Sequence, residues 1–317
     1  MTEDEILQLI DYPNFFKLLN IRLPDNRKAI FERLVQEKVI VQEKDGLSIT
    51  NLGAILFARD LGDFEQLSRK AIRVIQYHGN NRINTKKEQL GIRGYAIGFE
   101  GLIDYILNII PSNEIIGKAF REDIPIFPKI ALRELIANAL IHQNFAIQGT
   151  SPMVEIFDNR IEITNAGNPL VDTMRFIDHA PMSRNEILAR LMRRLNICEE
   201  RGSGIDKVIH ACEKYQLPAP KIIAEDDFTR ITLYAHKTLR EMEKQEKVRA
   251  CYFHACLKVV SGELMTNQTL RERFRIEERN YPMASRIIAD ALQENWIKDF
   301  DPENKSKKHS KYIPFWA

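Results

Sequence analysis

Between Ile130 and Pro169 the spacing of apolar positions changes from helical to alternating, and the rest of the chain is read against that change. In IALRELIANALIHQNF, Leu132, Ile136, Ala139 and Leu140 recur at helical spacing, which predicts an amphipathic helix with one buried face. Glu134, Asn138 and His142 follow at four-residue steps on a different face, so their side chains stand in a row. Two runs of β-formers come next, Met153 to Phe157 and Arg160 to Thr164. Asp158-Asn159 between them predicts a tight turn with positive φ. The hairpin ends in Asn165-Ala166-Gly167, and a helix bearing Glu-x-x-x-Asn before such a hairpin makes a candidate nucleotide pocket.

The same patterning divides the chain into three segments. Residues 1 to 65 predict a helical unit with a hairpin: Asp25 caps a helix running to about Glu37, and VIVQEKDGLSIT alternates across a Lys44-Asp45-Gly46 turn, as the wing of a winged helix does. Basic residues in that helix are mixed with acids, which favours a packing unit over a nucleic-acid contact. Residues 66 to 236 read as α/β: AIRVIQYHG as a buried strand, NNRINTKKEQLGIRG as a polar loop, GFEGLIDYILNII as a helix ending at Pro111, and ITLYAH as the closing strand. Residues 237 to 317 read as a long helix, a short helix capped by Thr266 or Asn267, a third from Asn280 to Glu294, and two strands, IKDFD and KYIPFW, around the tip ENKSKKHS. That is the winged helix-turn-helix order.

Composition narrows the classes further. The 317 residues, with 44% hydrophobic and 28% charged, suit a soluble globular protein of two or three domains. The acidic MTEDEILQLI is unlike a signal peptide, and no apolar run approaches the roughly 18 residues of a membrane span, so a cytoplasmic protein with no membrane partner is expected. A formal charge of +2 points to no nucleic-acid partner by itself, so that partner rests on local patches. CYFHAC invites a zinc reading, but Cys251, His254 and Cys256 lack a second ligand pair, and reduced cysteines are the default.

Arg201-Gly202-Ser203-Gly204-Ile205 precedes a predicted helix from Asp206 to Lys214, where glycines let backbone amides approach a phosphate and the helix dipole favours it. Taken together, ITNLGAILF, the Glu134 helix, FDNRIEITNAGNP, SRNEILARLMRRL and ERGSGI occur in the order seen in Schlafen-like, AlbA-type bacterial transcriptional regulators, which residues 1 to 235 resemble. Many members carry an N-terminal AlbA-like domain that does not occur here, so a short member or a fragment is expected. The resemblance implies an α+β fold with a GHKL-like (Bergerat) ATP-binding two-layer sandwich, flanked by the winged-helix-like N-terminal segment and a C-terminal winged helix.

It also implies site roles. Asn138 would reach magnesium on the ATP phosphates, and Glu134 would orient and deprotonate a water, as an amide oxygen and a carboxylate respectively suit. Gly202, Ser203 and Gly204 would meet the phosphates. The segment from Asp172 to Glu200 would be the ATP lid, with Arg184, Arg193 and Arg194 as phosphate contacts. Asn165 and Gly167 stand where the family's Asp-x-Gly-x-Gly receives the adenine, so Asn165 offers a neutral acceptor in place of a carboxylate, and Pro169 replaces the second glycine. In the C-terminal unit Arg279, Asn280, Ser285 and Arg286 are expected near DNA bases, with Lys305, Lys307, Lys308 and Lys311 on phosphates. The leading expectation is a nucleotide-responsive regulator binding duplex DNA as a homodimer. A DNA-linked ATPase and a scaffold with a degenerate pocket remain as alternatives.

Overall fold

The computed structural model describes residues 1–44, 46–110, 112–116, 121–198, 204–303 and 310–317. The N-terminal part runs α1 (Glu3–Leu9), α2 (Tyr12–Leu18), α3 (Arg27–Gln36), a hairpin of β1 (Ile40–Glu43) and β2 (Gly46–Ile49), and α4 (Asn51–Phe57). The middle part contains β3 (Ile72–Tyr77), β4 (Thr85–Gly91), α5 (Tyr95–Ile109), β5 (Ser112–Ile116), β6 (Arg121–Pro125), α6 (Lys129–His142), β7 (Met153–Ile156) and β8 (Arg160–Ala166). It continues through α7 (Glu186–Arg194), α8 (Gly204–Lys214), β9 (Lys221–Glu225) and β10 (Phe228–Tyr234). The last part is α9 (Lys244–Val260), α10 (Asn267–Phe274), α11 (Tyr281–Gln293), β11 (Ile297–Asp299) and β12 (Tyr312–Pro314).

A mixed sheet of six strands, ordered β4-β3-β7-β8-β10-β9, forms the centre; β3 and β7 run parallel and the other neighbours antiparallel. Alternation sends Val74, Val154, Ile156, Ile161, Ile163, Ile231 and Leu233 to one face. There they join Ile103 and Ile106 of α5, Leu132, Leu135, Ile136 and Leu140 of α6, and Val208 and Cys212 of α8. The same cluster continues into the N-terminal helices through Ile6, Phe15, Phe16, Leu34 and Phe57, so the two parts share one core.

The opposite face carries a closed ion network. Glu155 is 1% exposed and accepts from Arg82 at 2.6 and 2.8 Å and from the Tyr77 hydroxyl at 3.1 Å. Glu162 beside it accepts from Arg160 at 2.6 Å and from Arg82 at 2.5 Å. Every buried carboxylate here has a guanidinium partner, which is what makes burial of the charge tolerable.

Several sequence expectations are corrected. The supposed polar loop before Gly91 contains β4, an edge strand whose side chains are nearly all exposed, so it shows no alternation to read. Its ladder comes from β3 and a cross-strand Arg73–Glu88 pair at 2.6 Å. Asn26 caps α3, accepting from the Ala29 amide at 2.8 Å, while Asp25 pairs with Arg22 on the surface. Neither Asp158 nor Asn159 takes a positive φ; the turn closes through the Phe157 amide on the Arg160 carbonyl at 2.9 Å. α8 begins at Gly204 rather than Asp206, α9 begins at Lys244, and β5, β6 and β9 were not expected.

The basic residues of α3 are paired with acids: Arg27 with Asp4, Lys28 with Glu32 and Arg33 with Glu37. α9, α10 and α11 with the β11–β12 ladder bury a second cluster around Tyr252, Phe253, Leu270, Ile287 and Ile288. Cys251 and Cys256 sit inside it as free thiols, His254 pairs with Glu213, and no group of three His, Cys, Asp or Glu among the described residues could hold a metal. No described helix is long and apolar enough to cross a membrane.

Candidate nucleotide site

β8 continues its inward row Ile161, Ile163 with Asn165, which puts a buried amide at the next position below the apolar core. Across the ladder Thr229 is the direct partner of Asn165, and its hydroxyl donates to the Gly167 carbonyl at 2.7 Å. Asn165 donates through its amide nitrogen to Ala166 O at 3.1 Å, which leaves Oδ1 as its acceptor. This end of the sheet closes one end of a cavity. α6 supplies Glu134, Asn138 and His142 along one wall, as their four-residue spacing requires, and the start of α8 supplies Gly204 and Ile205.

Gly204 is held tightly there. A Cβ on it would stand 2.8 Å from Glu134 Oε2, so any other residue would push that carboxylate aside, whereas Asn138 Nδ2 at 3.8 Å is within ordinary contact. Gly167, at φ +99°, packs its Cα side against Asn144 and Arg184 and has a conformation that other residues rarely adopt.

The lid segment covers the cavity from the other side with Phe176, His179, Met182 and Arg184. Arg184 ties it down, its Nε donating to His142 O at 3.1 Å and its Nη2 to Asn168 O at 2.6 Å. Asn185 next to it donates to Ile141 O at 2.6 Å and Gln143 O at 2.9 Å. With this segment seated in this way the cavity holds about 180 Å³, less than the roughly 300 Å³ at which small-molecule pockets begin.

Two groups on the walls are held uncharged by burial. Burial, with Arg184 nearby, pulls the His142 pKa below its ordinary value, so the imidazole is neutral at pH 7. Burial pushes the Cys198 thiol up to about 11, so it too is uncharged.

The structure therefore brings Glu134, Asn138, Asn165, Arg184, Arg193 and Gly204 together on one cavity, with Gly167 at its edge. Arg194 is not among its lining residues and forms an ion pair with Glu37 at 2.9 Å. Gly202 and Ser203 lie outside the described residues. Thr229, Phe176, His179 and Cys198 are wall residues that the sequence reading did not single out. Alternation in FTRITLY could have turned Thr229 inward, but its place opposite Asn165 depends on a strand pairing between segments far apart in sequence.

For a magnesium nucleotide the donors are suitable: Asn138 offers an oxygen to a hard cation, Glu134 a carboxylate, and the α8 N-terminus amides and a favourable dipole for phosphate. Asn138 would hold the metal of such a nucleotide, and Glu134 would be placed to orient a water.

In the C-terminal unit Arg279, Asn280, Ser285 and Arg286 are exposed at the start of α11. Arg279 pairs with Glu277 at 2.5 Å, and Ser285 accepts from Asn267 Nδ2 at 3.0 Å. Lys305, Lys307 and Lys308 lie outside the described residues; Lys311 is exposed beside β12.

Residues 149–233 match the family described as "Putative ATP-dependent DNA helicase recG C-terminal". This stretch, from β7 to β10, is thus an ATPase-like segment, and it carries the sheet end and the lid of the cavity. The fold over 90% of the chain is similar to the crystal structure of the DIP2311 protein from Corynebacterium diphtheriae, with a TM-score of 0.56 and 16% sequence identity. The chain spans 57% of the length of that protein. No curated protein matches the sequence.

Proposed function

We propose that this protein is a nucleotide-responsive, DNA-binding transcriptional regulator of the Schlafen-like, AlbA-type group, in which magnesium-ATP occupies the cavity between α6 and α8. The observation that carries this reading is the course of α8. Its first residue, Gly204, meets Glu134 and Asn138, and near its last turn Glu213 accepts from His254 of α9 at 3.1 Å and pairs with Arg273 of α10 at 3.4 Å. A ligand at one end therefore acts on a helix anchored in the C-terminal unit. The lid gives a second route. Ile177 is buried in the C-terminal cluster, the Tyr252 hydroxyl donates to Met174 O, and Trp316 Nε1 donates to that hydroxyl at 3.1 Å.

Residues 237 to 317 act in this reading as a winged helix, with Arg279, Asn280, Ser285 and Arg286 reading bases and Lys305, Lys307, Lys308 and Lys311 holding phosphates. Support comes from the order of helices and strands and from the exposed start of α11. Paired half-sites would make the working form a homodimer. Nucleotide that favours one lid position would change DNA affinity by a coupling of about 1 to 3 kcal/mol. Calorimetric titration with magnesium-ATP, ADP and GTP tests the pocket, and gel shifts of the full chain with and without nucleotide test the coupling. Absence of heat with every nucleotide ends this reading.

A second reading, a DNA-linked ATPase, is favoured by the carboxylate of Glu134 one turn before Asn138 on the same wall. Glu134→Gln separates the two: it abolishes turnover in an ATPase, whereas in a regulator it leaves nucleotide-dependent DNA binding intact.

A further inference from the structure

Arg184 also lines a second cleft, of about 1150 Å³, on the far side of the lid anchor. Its other walls include Leu52 of α4, Arg69, Lys70, Phe145 and the first turn of α7. Lys70 is the unusual member. It is 4% exposed, yet its ammonium has only the Ile147 carbonyl at 2.6 Å and the ring of Phe145 at 5.9 Å, with no carboxylate in ion-pair range among the described residues. Burial pulls its pKa down, and no neighbouring anion offsets that pull. A buried cation without a counter-charge is costly, and this one lies on the wall of a cleft that admits solutes.

A second, independent feature points the same way. Asn185, the residue before α7, makes no side-chain capping bond, and its amide nitrogen donates to the Ile141 and Gln143 carbonyls. The first amides of the nine-residue α7 are thus left uncapped at the cleft, where the helix dipole favours negative charge. Arg69 adds an exposed cation on the same rim, whereas Glu65 and Glu186 stand exposed on it too and would repel an extended polyanion.

From these groups we infer that the cleft is a binding site for a compact oxyanion, a phosphate or carboxylate group of a small molecule, with Lys70 as its buried counter-charge and the α7 N-terminus as its hydrogen-bond donor. Because Arg184 belongs to both cavities, such a ligand would stabilise the lid anchor from outside. The site does not depend on nucleotide occupying the first cavity.

The test is calorimetric titration of the full chain with inorganic phosphate and, separately, with malonate. Saturable binding of either is expected, unchanged in Asn138→Ala, at least tenfold weaker in Lys70→Met, largely kept in Lys70→Arg and severalfold weaker in Arg69→Ala. Phosphate alone, malonate alone or both would define the ligand class. Amide hydrogen exchange at Glu186, Ile187 and Leu188 should slow on saturation of the unmutated chain, a readout that stands even if Lys70→Met does not fold. No saturable binding with either anion would overturn the proposal. So would binding that is lost in Asn138→Ala and untouched in Lys70→Met, since it would put the anion in the nucleotide cavity.

Discussion

The two ends of α8 are built on opposite principles. At its first residue a glycine lies against a carboxylate and an amide on a cavity wall. At its other end Glu213, His254 and Arg273 are largely withdrawn from solvent and paired with one another, while Arg273 donates to Leu217 O at 2.7 Å and Arg249 to Ala219 O at 3.1 Å. The first end lies on a cavity wall; the second is packed between two parts of the chain. Eleven residues of helix, roughly 16 Å, separate them. A rigid element with one receptive and one locked end can carry a displacement without dissipating it, which a flexible linker could not do.

The largest effect is expected from breaking the locked end. Glu213→Ala leaves Arg273 buried without its carboxylate, and unfolding in urea should show a loss of about 3 to 5 kcal/mol. A loss below about 1 kcal/mol would mean the joint is not a fixed one. At the receptive end, Asn138→Ala should lower magnesium-nucleotide affinity at least tenfold, equal to about 1.4 kcal/mol, while the thermal midpoint stays within a few degrees. Equal affinities in both proteins would move the ligand elsewhere.

Tyr252→Phe sharpens the contrast, because it removes a hydroxyl that accepts from Trp316 and holds the lid through Met174 without touching either end of α8. A net hydrogen bond of about 1 kcal/mol would make lid opening easier and raise nucleotide affinity about fivefold by calorimetry. Lowered affinity would show that the docked lid helps binding.

The smallest effect concerns His142. Its folded-state pKa lies below the ordinary value of about 6.5, so the unfolded chain binds the proton more readily. The stability it contributes is complete above that ordinary value and declines as pH falls through it toward the folded-state pKa. His142→Gln should therefore flatten the pH dependence of the urea midpoint between pH 7 and 5, and an unchanged slope would assign the acid sensitivity to other groups.

How much of this was readable in the sequence depends on whether a residue's role is local. The α6 wall is local: a four-residue spacing puts Glu134, Asn138 and His142 in a row, and all three line the cavity. Asn165 came from the resemblance, which placed it where the family's adenine-binding Asp stands, and it too lines the cavity. β4 was missed because an edge strand with solvent on both faces has no apolar period, and Thr229 because its partner lies 64 positions away, at Asn165. The turn at Asp158-Asn159 misled because these residue types tolerate positive φ without requiring it. Nothing in the sequence marked Glu213 or Tyr252, whose importance comes from contacts between parts that only the fold brings together.

The most direct test of the central claim is amide hydrogen exchange across α8, Met174 to Ile177 and α9 to α10, with and without magnesium-ATP, in the unmutated chain and in Asn138→Ala. Coupling predicts that nucleotide alters exchange at the start of α8, in the Met174 segment and in the C-terminal helices together, and in none of them in Asn138→Ala. Changes confined to the cavity residues, with the C-terminal helices untouched at saturating nucleotide, would contradict it.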